Sequence, residues 1–135
     1  MSHFTKVATK INDLVALKKA LEQLGWKYQH DAQGVVVRGY QGATMKAEMS
    51  IDMGKYDIAV IKQQDGTYEL TADWWGIETT RGIKEEEAVK QLNHAYAYQR
   101  VVAAVEDQGY QIDENAVQKD GTIKLSVSKL SLIHI

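Results

Sequence analysis

Three successive stretches of this chain alternate apolar and polar side chains with a period of two. Met45, Ala47, Met49 and Ile51 alternate with Lys46, Glu48 and Ser50. Tyr56, Ile58 and Val60 alternate with Asp57 and Ala59, until Ile61 spoils the pattern. Tyr68, Leu70, Ala72 and Trp74 alternate with Glu69, Thr71, Asp73 and Trp75. A period of two places neighbours on opposite faces of a strand, so each stretch reads as a strand with one covered face. Gln64-Asp65-Gly66-Thr67 between the second and third is a hairpin turn. The segment therefore predicts an antiparallel meander. Its last strand carries a conflict: with Trp74 on the core side, Trp75 stands beside Asp73 on the polar side. Either another element, the second helix or the N-terminal segment, covers this indole, or it marks a working surface.

Two segments read as helices. One follows Asn12, a good N-cap type, with Leu14, Leu17, Leu21 and Leu24 at spacings of three and four and Gly25 at the expected left-handed stop. The other spans about 84–108, with Leu92, Ala95, Tyr98, Val102 and Val105 as its apolar stripe. Glu85, Glu86 and Glu87 complement the dipole of its first turn, and Gly109 closes it. A first strand lies around Lys6. Strands over 26–30 and 35–38 flank an Asp31-Ala32-Gln33-Gly34 turn, and Lys119-Asp120-Gly121-Thr122 turns into a strand carrying Ile123, Leu125 and Val127.

The order helix, Gly, aromatic, strand, turn, strand occurs twice, after Leu24 and after Gln108. It reads either as a diverged duplication or as two ordinary helix stops before hairpins. Either way, the fold class is α+β: a mainly antiparallel sheet in the order β-α-ββ, meander, α-ββ, with two helices on one face.

The 135 residues suit one domain. The formal net charge of −2 gives no basic footprint for nucleic-acid phosphates. With no cysteine, disulfides, thiol nucleophiles, iron–sulfur clusters and thiolate-bound zinc are all excluded, and a reducing, cytoplasm-like compartment is compatible. The first residues lack the apolar core of a secretory signal, and no apolar run reaches the roughly 20 residues of a membrane span.

Residues that could carry chemistry are sparse. His3, His30 and His94 form no metal-binding spacing; His30 reads as a surface residue beside a turn and His94 as solvent-facing on a helix. No serine sits in a nucleophile-elbow context. The glycines at 34, 39 and 42 fit neither a dinucleotide fingerprint nor a P-loop and read as a loop between strands, though Arg38 beside Tyr40 can contact an anion or ligand. Asp57, Glu69 and Asp73 fall on the polar side of the meander, where solvated carboxylates are expected. Tyr96 and Arg100, four apart on a helix, can form a cation–π or stacking pair. Exposed aromatics and arginine are enriched at interface hot spots, which makes Trp75, Asp73, Arg38, Tyr40, Tyr96 and Arg100 the candidate interaction surface.

Several motifs recur together in one family. They are the opening Met1-Ser2-His3-Phe4, Val37-Arg38-Gly39-Tyr40-Gln41-Gly42, Lys55-Tyr56-Asp57-Ile58, Ala72-Asp73-Trp74-Trp75-Gly76 and Tyr96-Ala97-Tyr98. In this order they resemble the hypothetical chloroplast reading frame thirty-five family of plastids and cyanobacteria, a domain of unknown function. The resemblance covers residues 1–129 and brings no catalytic residues with it. It implies a cytoplasmic location, stromal in plastids, and a role in assembly or regulation of photosynthetic machinery. The last residues, Leu130-Ser131-Leu132-Ile133-His134-Ile135, match the in-frame translation of a transposase-type sequencing adapter, the alternative being a native apolar final strand. The expected organisation is a single domain over 1–129 followed by a non-native tail over 130–135, which removes His134 from any site.

The expected function is that of a small non-enzymatic binding or accessory protein with a protein partner, no cofactor, no nucleic acid and no membrane span. Exposed sheet edges also allow a homodimer. The alternative is an enzyme or small-ligand binder with a polar pocket between the sheet and the second helix, using Asp57, Asp73, His94 or Arg100.

Overall fold

The computed structural model describes residues 4–117 and 123–129. The first helix, α1 (Leu14–Leu24), is capped by Asp13, whose Oδ1 accepts the Ala16 N–H at 3.1 Å. The cap is thus one residue later than the expected Asn12. Gly25 stops the helix at φ 74°, donating to Glu22 O at 3.1 Å, while Trp26 N–H reaches Leu21 O at 2.9 Å. This pair of bonds satisfies two otherwise orphaned carbonyls and turns the buried Trp26 back onto the core.

Five strands form one antiparallel sheet in the order β1-β5-β4-β3-β2. They are β1 (Thr5–Ala8), β2 (Tyr28–Arg38), β3 (Thr44–Asp52), β4 (Asp57–Lys62) and β5 (Tyr68–Ala72). Register stacks the apolar residues in rows across the strands. Val7, Leu70, Val60 and Met49 lie opposite one another, as do Ala72, Ile58 and Ile51. The expected turn over 64–67 closes the β4–β5 hairpin, with Gln63 N–H donating to Thr67 O at 2.7 Å.

The rows form one core with Leu17 and Leu21 of α1 and with Leu92 and Ala95 of the long helix α3 (Glu85–Asp107). Tyr98, Val102 and Val105, expected in the α3 stripe, are half-buried. A third helix, α2 (Trp74–Arg81), was not expected; its Trp74 and Ile77 belong to the same core. The predicted strand continuing through Trp75 is therefore corrected. The strand ends at Ala72, because the Asp73 carboxylate caps a new helix by accepting Gly76 N–H at 3.1 Å.

The predicted turn over 31–34 is also corrected, since β2 runs through it as one strand. His30 pairs with Met49 and Val35 with Ala47, so β2 advances five residues (35 − 30) while β3 advances two (49 − 47). The surplus is a bulge, with Gly34 at φ 109°. Bulges bend and twist a hairpin. Here the far end packs on the second face of the sheet, where Val37, Met45 and Ala47 meet Ala59, Ile61 and Phe4. The packing is close: a Cβ on Gly39 would stand 2.6 Å from the Phe4 ring.

The last two strands, β6 (Tyr110–Val117) and β7 (Ile123–Lys129), pair antiparallel as a separate two-stranded sheet rather than joining the main one. The expected 119–122 turn and the 130–135 tail both lie outside the described residues. Among the described residues, no helix is long and apolar enough to cross a membrane.

Candidate functional site

The bent end of the β2–β3 hairpin is held against α2 by two carboxylates. Asp57, at the start of β4, faces the second side of the sheet and is 4 % exposed. Its Oδ2 accepts the Arg38 backbone N–H at 2.8 Å and Nε at 2.9 Å, and its Oδ1 accepts Nη2 at 2.7 Å. This is a bidentate pair completed by a backbone bond, the geometry in which an arginine–carboxylate contact is strongest. Arg38 Nη2 also donates to Asp52 Oδ1 at 3.1 Å and to Gly54 O at 3.0 Å. The hydrogen bond to Asp57 holds the guanidinium pKa above its ordinary value, opposed in part by desolvation and assisted by the fields of Asp57 and Asp52.

Asp73 serves the next turn of chain. Besides capping α2, it accepts the Tyr40 N–H on Oδ2 at 3.1 Å and is 2 % exposed. Tyr40 opens a short 3-10 turn (Tyr40–Gly42) in which Gln41 adopts φ 55°, an uncommon value for a residue other than glycine. The Tyr40 ring stands edge-to-face with Trp75, centroids 5.4 Å apart at 83°, and with Tyr56 at 6.2 Å and 62°. Tyr56 in turn lies over Gly76, where an added Cβ would come within 2.9 Å of its ring.

The two tryptophans are separated as the sequence suggested, by helical rather than strand geometry. Successive helix positions lie about 100° apart, so α2 can bury one indole and present the next. Trp74 is 7 % exposed and its Nε1 donates to Thr5 O at 3.0 Å; Trp75 is 50 % exposed. Among the sequence-derived candidates, Trp75, Asp73, Tyr40 and Arg38 thus form one connected surface. Asp57, expected as a solvated carboxylate, is instead its buried hub, and the same correction holds for Asp73.

Tyr96 and Arg100 belong to a second cluster. The Tyr96 hydroxyl accepts the N–H groups of Asn12 and Asp13, each at 3.1 Å, and donates to Asn12 Oδ1 at 3.2 Å. Arg100 Nη1 donates to Asn12 Oδ1 at 3.3 Å and stands 3.6 Å from Asp13 Oδ2. The pair acts through hydrogen bonds that tie α3 to the start of α1, and no ring contact joins it among the described residues. The cleft beside α3, the second helix expected from the sequence, is about 530 Å³ and is lined by Ala8, Thr9, Lys10, Ile11, Asn93 and Tyr96. It gathers none of Asp57, Asp73, His94 and Arg100. His30 is exposed as expected, whereas His94 is half-buried rather than solvent-facing. No group of histidines and carboxylates among the described residues is placed to hold a metal ion.

Comparison with known proteins agrees with the family resemblance noted above. A family described as "Protein of unknown function (DUF1257)" matches residues 20–126. The "Uncharacterized protein ycf35" of Pyropia yezoensis is 31% identical over 135 residues, covering 96% of this chain and 98% of the relative. That of Cyanophora paradoxa is 33% identical over 130 residues, with the same shares of each chain covered. The Guillardia theta protein of the same name is 29% identical over 136 residues, again covering 96% and 98%. These relatives are plastid-encoded. No solved structure matches the chain. The protein belongs to the DUF1257 family, which these plastid ycf35 relatives represent and whose function is unknown.

Proposed function

We propose that this protein is a small non-enzymatic binding or accessory protein whose contact with a protein partner is centred on Trp75. The observation that carries this reading is that a large indole, 50 % exposed, is braced rather than loose. Tyr40 stands against its ring, and Asp73 fixes both the Tyr40 backbone and the helix that carries the indole. A tryptophan already ordered before binding has little side-chain entropy left to lose on association. Arg38 and the polar rim around it supply directional bonds, and interface hot spots favour this combination of residues. Tyr96 and Arg100, on their separate cluster, form a secondary contact in the same reading.

The plastid origin of the relatives supports a role in the assembly or regulation of photosynthetic machinery, in the cytoplasm or, for plastid-encoded members, in the stroma. The test is an affinity capture from a photosynthetic host with the parent chain and with Trp75→Ala. Loss of a hot-spot tryptophan, at about 2 kcal/mol or more, should reduce recovery of the specific partner more than tenfold. Equal recovery of the same proteins by both chains would contradict the reading.

A further inference from the structure

The bulge in β2 does more than bend the hairpin. It brings residues from both halves of the strand to one open cleft of about 520 Å³, within the size range of small-molecule sites. Lys27, just before the strand, and Gln29 come from one side; Val36 and Arg38 come from the other; Ser50, Asp52 and Asp57 also line it. This cleft is distinct from the one beside α3 and from the Trp75 ring contact.

The hydrogen-bonding capacity left unspent in this cleft is mainly that of donors. Asp57 is largely spent, its two oxygens accepting three bonds from Arg38. Asp52 Oδ1 accepts from Arg38 Nη2 and from Gly54 N–H. By contrast, Arg38 Nη1 and the Lys27 ammonium have no partner among the described residues. Nor does the Ser50 hydroxyl, which lines the cleft and stays within reach of solvent although the residue as a whole is only 6 % exposed. A hydroxyl at the cleft wall with no protein partner can donate to an incoming acceptor. The guanidinium is also held rigid by Asp57, so an incoming acceptor meets a fixed donor.

We propose that the crook of β2 binds a small molecule bearing an oxyanion, a carboxylate or a phosphate ester, held by Lys27, Arg38 and Ser50. Charge-assisted bonds from the ammonium and the free edge of the guanidinium would take the oxyanion, and Ser50 would donate the third bond. Asp52 Oδ2, at the exposed rim, favours a ligand that carries a hydroxyl or ammonium donor beside its oxyanion.

The test uses the full chain labelled with nitrogen-15, titrated separately with inorganic phosphate and with malonate at ionic strength held constant by sodium chloride. The expected result is saturable shifts confined to the amides of Lys27, Gln29, Arg38 and Ser50 and to Arg38 Nε–H, with millimolar affinity for at least one probe. The tighter probe identifies the oxyanion class. Lys27→Gln should weaken that affinity about tenfold and Ser50→Ala about fivefold, and both substitutions leave the Arg38–Asp57 pair intact. Three results would each overturn the proposal: no saturable shift with either probe, shifts spread over all surface lysines, or an affinity unchanged in both variants.

Discussion

The two clusters of polar and aromatic side chains on this protein contain similar residues and are built for different work. Around Asp57 and Asp73, carboxylates withdrawn from water each collect a backbone N–H of the 38–40 segment, so the loop, α2 and β4 are locked together. Around Tyr96 and Arg100, the partners are Asn12 and Asp13 at the surface, and the bonds close the joint between α1 and α3. The contrast lies in burial. A buried carboxylate without its donors carries the full cost of desolvation, whereas an exposed pair regains water when it is broken. The first cluster therefore specifies the shape of a surface, and the second fastens two helices whose packing is already secured by Leu17, Leu21, Leu92 and Ala95.

Substitutions can break or sharpen that contrast. Trp74→Ala should have the largest effect, about 3–5 kcal/mol in urea unfolding, because it empties a core position and removes the bond to Thr5 O. Asp57→Ala should follow at about 2–3 kcal/mol, below the cost of breaking a fully buried pair because the Arg38 side chain is 48% exposed and can turn to water. Asp73→Ala should cost about 2 kcal/mol, combining the loss of a helix cap with an unsatisfied Tyr40 N–H, and should also broaden the amide resonances of 40–42. Arg100→Ala should cost no more than about 0.5 kcal/mol, and added salt should shrink that cost further, as for an exposed, screened pair. If Arg100→Ala proved as damaging as Asp57→Ala, the distinction between the clusters would fail.

Much of the fold is legible in the sequence, and the exceptions have physical causes. Leucine spacing and Gly25 mark α1, the glutamate-rich start and Gly109 mark α3, and the alternation with Asp65-Gly66 marks β4 and β5. The helix α2 is hidden because the alternation of β5 continues for three more residues, Asp73, Trp74 and Trp75. It is also short and carries Gly76, Thr79 and Thr80, which are weak helix formers. The available signal is Asp73 as a cap with Gly82 as the left-handed stop, donating to Glu78 O at 2.9 Å.

The buried state of Asp57 depends on the curled β2–β3 hairpin, a long-range contact that local periodicity does not report. One local trace exists: Ile61, which breaks the polar alternation of β4, is part of the small core on that second face. Likewise 31–34 has turn composition, yet both flanking segments pair with β3, so the irregularity becomes a bulge. Of the site, the sequence identifies Trp75, Tyr40, Arg38 and Asp73 by residue type, whereas their connection through Asp57 and Tyr56 emerges only from the packing.

The central claim is that Trp75 is presented to solvent by a rigid support and contributes little to the fold itself. The most direct measurement is the urea unfolding free energy of Trp75→Ala beside the parent chain. The account predicts a difference within about 1 kcal/mol, as for a surface position. A loss approaching that of Trp74→Ala would show the second indole to be structural and would contradict it.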